Sequence, residues 1–244
     1  MSARDSIYAQ PRESIADFSF DEKVAAVFPD MIKRSVPGYN TVIAMTGVFA
    51  GQYAQDGSNC LDLGCSLGES SFAMCTHLHH QNCSIIAVDN SPQMLEQCAA
   101  NLQQANCRVK VELLCKDILD VSLNNSSVVV LNYTLQFIDA SRRGQLIQDI
   151  FDGMRPGGIL LLSEKIKFDD ALADQGMIKM HHEFKKANGY SELEISQKRT
   201  ALENVLIPET LQIHQQRLKN AGFSEVDLWF QCFNFVSLIA YKPF

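Results

Sequence analysis

The stretch "LDLGCSLGES", residues 61–70, decides the fold. Its first residues close a short apolar run, "SNCLDLG" (58–64), which reads as a buried strand ending near Asp62. The chain then turns through Gly64, Cys65, Ser66, Leu67 and Gly68 into a helical segment over 68–79. Ligands of open parallel sheets sit at such carboxyl ends. Gly64 permits positive φ and close approach of a ligand to the backbone, while Gly68 lets the following helix pack tightly on the strand. The spacing is G-x-x-x-G, not the G-x-G-x-x-G of dinucleotide binders. A pyrophosphate wants a helix N-terminus pointed at it, whereas the amino-acid end of S-adenosyl-L-methionine (SAM) wants backbone carbonyls and a nearby carboxylate. The turn therefore favours SAM over a dinucleotide.

Outward from this turn, "SIIAVDN" (84–90), "RVKVELL" (108–114), "SSVVVLN" (126–132) and "GILLLSE" (158–164) are further short apolar runs that read as buried strands. Helical segments lie between them: 91–105, with Ser91 as N-cap and Pro92 at the first helical position, and 141–153, closing at "RPGG". This alternation builds a parallel sheet with helices on both faces. An amphipathic stretch at 38–54 precedes it, stopped by Asp56-Gly57. Residues 165–206 are polar and helical with no strand candidate, and form an insertion over the ligand edge. The helix of "PETLQIHQQRLKNAGF" follows, then "SEVDLWFQC" and "FNFVSLIAY", joined too closely for a helical crossover and so an antiparallel hairpin. The expectation is an α/β, Rossmann-like class I methyltransferase fold: a mainly parallel seven-stranded sheet with a C-terminal antiparallel hairpin and helical insertions. A single domain over 1–244 accommodates it, with residues 1–55 as an N-terminal helical cap.

Composition narrows the function classes. Lys and Arg total 21 against 28 Asp and Glu, a net charge of −7, so no overall field draws the protein to nucleic acid directly. No run reaches the ~18 apolar residues of a membrane span, and "MSARDSIYAQPRE" has no apolar leader core, so a cytoplasmic location is expected. The cysteines at 60, 65, 75, 83, 98, 107, 115 and 232 include no C-x-x-C pair and read mostly as small buried residues with free thiols. The histidines of "HLHH" (77–80) and His181-His182-Glu183 lack H-E-x-x-H spacing, so a solvated helix end is favoured over a metal site.

Other strand ends supply candidate contacts. Asp89 closes the second strand, where its carboxylate can accept from both ribose hydroxyls of an adenosine. Asp117, in "CKDILD", is placed to meet the adenine amino group, with Ile118 beside the ring. Asn132 either bonds the ligand or ties down the adjacent loop. The sequence after it, Tyr133-Thr134-Leu135, lacks the Pro-Pro-aromatic run common in amine methyltransferases. In "ISQKRTALENV" (195–205), Lys198 and Arg199 stand side by side. Spacing alone favours a solvated helix for them; an inward Arg would instead hold a carboxylate through two parallel hydrogen bonds.

The chain resembles the carboxy-S-adenosyl-L-methionine synthases of the class I SAM-dependent methyltransferase superfamily over essentially its whole length. The matching stretches are "FDEKVAAVFPDMIKRSVPGY", "DLGCSLG", "DNSPQM", "LNYTLQF", "MHHEFKKANGYSELEISQKR", "LENV" and "LWFQCFNF". The resemblance implies binding positions at Tyr39, Gly64, Cys65, Ser66, Asp89, Asn90, Asp117, Ile118, Asn132 and Arg199, no metal, and a catalytic role for Arg199 in gripping a carboxylate that SAM lacks. It implies SAM and prephenate as substrates and carboxy-SAM, phenylpyruvate and water as products. A homodimer and a downstream tRNA carboxymethyltransferase that takes the product for wobble-uridine modification are also implied. Tyr190, Lys198 and His182 are candidates for seating prephenate. Two other readings stand beside this one: an ordinary SAM-dependent methyltransferase of a small molecule, and a non-catalytic SAM-binding carrier.

Overall fold

The computed structural model describes residues 3–80, 82–105 and 107–244. Its single sheet comprises β1 (Asn59–Leu63), β2 (Ser84–Asp89), β3 (Lys110–Cys115), β4 (Ser126–Asn132), β5 (Met154–Lys165), β6 (Glu225–Cys232) and β7 (Phe235–Tyr241). The strand order is β3-β2-β1-β4-β5-β7-β6. Strands β1 to β5 pair in parallel, and β7 runs antiparallel to both β5 and β6. This is the expected class I methyltransferase topology. The order reverses between β1 and β4, which opens a crevice above their carboxyl ends.

The largest shift of a strand boundary from the sequence reading is at β5. Strand β5 starts at Met154 rather than residue 158, because Met154 pairs with Ser126 before the register shifts ahead of the Val128–Ile159 pair. The residues of "RPGG" are taken up in that bulge, where Gly157 adopts φ +74° and its N–H donates to Lys242 O.

Alternation along the strands splits the core into two layers. Leu61, Leu63, Val129, Leu131, Leu160 and Leu162 face α5 (Ala140–Gly153) and α8 (Leu211–Ala221). Cys60, Ile85, Val128, Val130 and Leu161 face α2 (Tyr39–Tyr53) and α3 (Glu69–His77). On the α3 side, α4 (Pro92–Gln103) buries Leu95 and Cys98 against Ala87. As expected, the Ser91 side chain caps α4, accepting from Met94 N.

Above the carboxyl edge lie α1 (Glu22–Ser35), α6 (Ala171–Ala187) and α7 (Glu192–Leu202). A capping box between Ser191 and Glu194 starts α7. Gln197 binds the N-terminal strap to this helix: its Nε2 donates to Tyr8 O and Gln10 O, both at 2.9 Å, and its Oε1 accepts from Arg12 N at 2.9 Å.

Two expectations need correction. Cys75, on α3, and Cys107, ahead of β3, form a disulfide with Cα atoms 5.1 Å apart, a pairing that their separation of 32 residues concealed. The remaining six cysteines are free. His181 is also not part of a solvated helix end: it is buried on α6, bonded to Ser35 O at 2.7 Å.

A polar clasp holds the loop after β4. Arg143 is fully buried on α5, with Nε donating to Ile138 O at 2.9 Å and a terminal nitrogen donating to Gln136 O and Ile207 O. Its other terminal nitrogen meets Glu209 at 2.6 Å, and Glu209 pairs with Arg217 at the same distance. Replacing Arg143 by Ala leaves three carbonyls and a half-buried carboxylate without this partner. Urea titration of Arg143→Ala is expected to show an unfolding free energy lower by about 3–5 kcal/mol.

Candidate SAM-binding site and its cationic end

A cavity of about 390 Å³ opens at the carboxyl edge of the sheet. Its walls include Tyr39, Gly64, Cys65, Ser66, Asp89, Asn90, Asp117, Ile118 and Asn132. The topology thus brings nine of the sequence-derived positions to one space.

The loop after β1 is shaped by its amides. Gly64 N and Cys65 N both donate to Val88 O, at 2.8 and 2.9 Å, pinning the turn to β2. Ser66 N donates to one oxygen of Asp89 at 2.9 Å, and Ser91 N donates to the other at 2.9 Å. Burial pushes the Asp89 pKa up while these amides pull it down. Each carboxylate oxygen retains a second acceptor site, the requirement for holding vicinal hydroxyls. Gly64 and Gly68 both have positive φ, +83° and +85°. The space beside Gly64 is taken by the Thr134 side chain and that beside Gly68 by Cys98 of α4. Positive φ and close protein packing both demand glycine at these two positions.

Asp117 is exposed and caps the 3-10 turn Ile118–Asp120, accepting from Leu119 N at 3.0 Å; Ile118 is buried beside it. The Asn132 amide lies in a network: Nδ2 donates to Ser70 Oγ at 3.0 Å and Thr46 Oγ1 at 3.3 Å, and Oδ1 accepts from Ser163 Oγ at 2.7 Å. That network fixes the end of β4. Tyr39 opens α2 with its ring 6.2 Å from that of Tyr133; burial foremost, then the Glu69 carboxylate, holds its phenol well above the ordinary value.

Sequence reasoning missed much of the remaining wall. Phe18, Phe20 and Phe28 come from the strap and α1, and Phe20 packs edge-on against Phe137 at 5.3 Å. At the far end stand Lys165, Lys185, Lys198 and His181, with Ser35 among them. Lys185 and Lys198 are 8% and 7% exposed. Burial foremost drives Lys185 down to about 7 and Lys198 to about 8. Lys198 is one of the residues the sequence offered for seating prephenate, whereas Lys185 carried no signal beyond its place in a segment of balanced charge, which suggested solvent. Burial, helped by Lys185, holds the His181 pKa down at about 2, so its ring is neutral.

Arg199 is not a wall residue; it is exposed on α7 next to Lys198. Its charge contributes to lowering the pKa values of Lys165 and His182. His182 is half-buried outside the wall. Tyr190 also stands outside, donating its hydroxyl to Asp5 at 2.5 Å beneath the Arg34 guanidinium.

The Lys185 ammonium has a measurable cost in the ligand-free protein. The charged groups acting on it are Lys198 and Lys165, both cations. Below about pH 7 folded and unfolded chains both carry the proton and the penalty is full. As pH rises toward 10.5 the unfolded chain holds more protons than the folded one, so stability recovers. Lys185→Met is therefore expected to stabilise the ligand-free protein by on the order of 3 kcal/mol near pH 6. Denaturant titrations across the pH range are expected to show that gain fading as pH approaches 10.

The description "Methyltransferase domain" matches residues 60–158. Among solved structures, an O-methyltransferase candidate from Nostoc punctiforme superposes with a TM-score of 0.64 at 17% identity, covering 91% of this chain and 59% of that one. A SAM-dependent methyltransferase candidate from Methanococcus maripaludis superposes at 0.59 and 18% identity, covering 96% and 98%. These two share the fold. Much nearer in sequence is a carboxy-S-adenosyl-L-methionine synthase of Trichlorobacter lovleyi, 57% identical and covering 98% of both chains. Proteins of the same name from Pseudoalteromonas atlantica (53%, covering 99% of both chains) and Escherichia coli K12 (50%, covering 99% of this chain and 98% of that one) match as fully. With such identity along almost its entire length, the chain belongs to the carboxy-S-adenosyl-L-methionine synthase family.

Proposed function

We propose that the protein converts SAM and prephenate to carboxy-SAM, phenylpyruvate and water. The observation that carries the reading is the pairing, within one cavity, of a nucleoside-type sheet edge with a buried cationic end. Transfer of a methyl group to a neutral small molecule gives no reason to keep lysines out of water; an anionic co-substrate does.

The chemistry balances without a side-chain base. Prephenate, a dianion, loses carbon dioxide and hydroxide as its ring becomes aromatic, leaving phenylpyruvate. Hydroxide takes a proton from the methyl group next to the sulfonium, forming water, and the resulting carbanion attacks carbon dioxide to give the new carboxylate. The protein's tasks are then orientation and exclusion of solvent. Asp89 and the turn of Gly64, Cys65 and Ser66 hold the nucleoside; Asn90, Asp117 and Ile118 border the adenine; Tyr39 and Asn132 flank the reacting methyl. Arg199, serving its own subunit's cavity or that of the neighbouring subunit in the dimer, meets the carboxylate that forms and stabilises charge that ordinary SAM does not carry.

A homodimer and a separate tRNA carboxymethyltransferase that consumes the product complete this reading. The net charge of −7 supports delegating tRNA to that second enzyme. Incubation with SAM and prephenate, followed by mass spectrometry, is expected to yield phenylpyruvate and a carboxylated SAM. An ordinary methyltransferase would release S-adenosylhomocysteine instead, and a carrier would convert nothing. Arg199→Ala is expected to weaken carboxy-SAM binding roughly tenfold or more, with SAM binding little changed; equal losses for the two ligands would remove the selective clamp.

A further inference from the structure

Lys165 from the end of β5, Lys185 from α6 and Lys198 from α7 converge on one end of the cavity with too few acids to neutralise them. Lys198 Nζ lies 3.8 Å from an Asp5 oxygen and 3.2 Å from Ser35 Oγ. The same Asp5 oxygen is already engaged by the Tyr190 hydroxyl, and the other accepts from Ile7 N. Asp174 attracts Lys165 from a distance. Among the described residues, no hydrogen bond or ion pair reaches the ammonium of Lys165 or Lys185. His181, neutral and bonded to Ser35 O, adds no compensating charge. Buried ammoniums persist where something pairs with them. The Lys185 side chain is buried and that of Lys165 half-buried, and both line the cavity, so an anion entering it is the partner that would neutralise them.

The surroundings define the anion further. The Phe235 ring lies 4.8 Å from that of His181 and 6.1 Å from that of Tyr133, and Ile32 and Val36 line the same region. A cyclic or aryl group fits against these faces, with its acidic arm toward the lysines. We propose that Lys165, Lys185 and Lys198 seat the carboxylate that the co-substrate keeps, leaving Arg199 to meet the one it gives away. The assignment rests on the carboxyl-transfer reading, in which a dicarboxylate donor ends as an aryl 2-oxo acid. The retained carboxylate is present in both donor and product. Its seat therefore binds both, and the product competes with the donor.

The test uses the full chain with S-adenosylhomocysteine bound and phenylpyruvate as titrant, read by calorimetry. Wild type is expected to bind phenylpyruvate. Lys185→Met and Lys165→Met are expected to weaken it roughly tenfold or more each, with Lys185→Arg recovering most of the loss. Affinity for SAM stays within about twofold in all three, and Arg199→Ala leaves phenylpyruvate affinity unaltered. Circular dichroism melts check that each variant is folded. Wild-type binding of phenylpyruvate unaffected by both methionine substitutions would overturn the assignment, as would no binding by wild type. If the reaction were misread but the seat correct, wild type would make no carboxy-SAM from prephenate while the lysine-dependent binding of phenylpyruvate remained. If the reaction were correct but the seat wrong, carboxy-SAM would form and phenylpyruvate would bind all variants equally.

Discussion

Two backbone amides, from Ser66 and Ser91, converge on the carboxylate of Asp89, and the nucleoside side of the cavity takes its shape from that convergence. The bonds tie the turn after β1 to the turn after β2, so neither strand end can move without the other. A second carboxylate does the same three strands away. Glu164, buried in β5, accepts from Leu135 N and Gln136 N at 2.9 Å each, and so fixes the turn after β4. Burial pushes its pKa to about 8, while the two amides and Arg143 pull it down. The carboxyl edge of this sheet is thus organised by acids that accept main-chain donors, which would otherwise be unsatisfied in a dry crevice.

The two ends of the cavity are built from different parts of the chain. Strand ends and their turns make the nucleoside side, where geometry is fixed by backbone hydrogen bonds. Helices α1, α6 and α7, together with the N-terminal strap, make the other side. There the packing is by side chains: Gln197 holds the strap to α7, and Tyr190 lies between Asp5 and Arg34. This second layer buries the Lys185 and Lys198 side chains, and that burial lowers their proton affinity. The protein carries the expense of dry charge in the region where an anionic reactant would recover it.

Periodicity made the sheet legible because each of β1 to β4 is a short apolar run bounded by turn residues, and the hairpin followed from the brevity of its connection. The glycines of the first turn were legible, and the positive φ expected at Gly64 is present; what the sequence did not show is that Thr134 and Cys98 fill the adjoining space. Lys198 was marked in the sequence only as a candidate seat for the co-substrate, Lys185 was not marked at all, and the burial of both was illegible for a physical reason. They sit among acids on helices with mixed charge, a pattern that reads as solvent-facing, and only tertiary contact with α1 and the strap turns those faces inward. Arg143 escaped for the same reason, since nothing local distinguishes a buried Arg from an exposed one. The resemblance implied a binding role for Arg199, and the fold leaves that residue exposed and outside the cavity wall of its own chain.

The separation of the cavity into a strand-end half and a helical half also bears on how such a protein can diversify. Substitutions confined to α6 and α7 alter what is docked opposite the sulfonium without disturbing Asp89 or the turn it organises, because no hydrogen bond of that turn crosses to the insertion among the described residues. Descent with modification can then treat the nucleoside grip as an inherited chassis and the helical layer as an exchangeable attachment. An engineer seeking to admit a different co-substrate would find the permissible changes concentrated in the attachment.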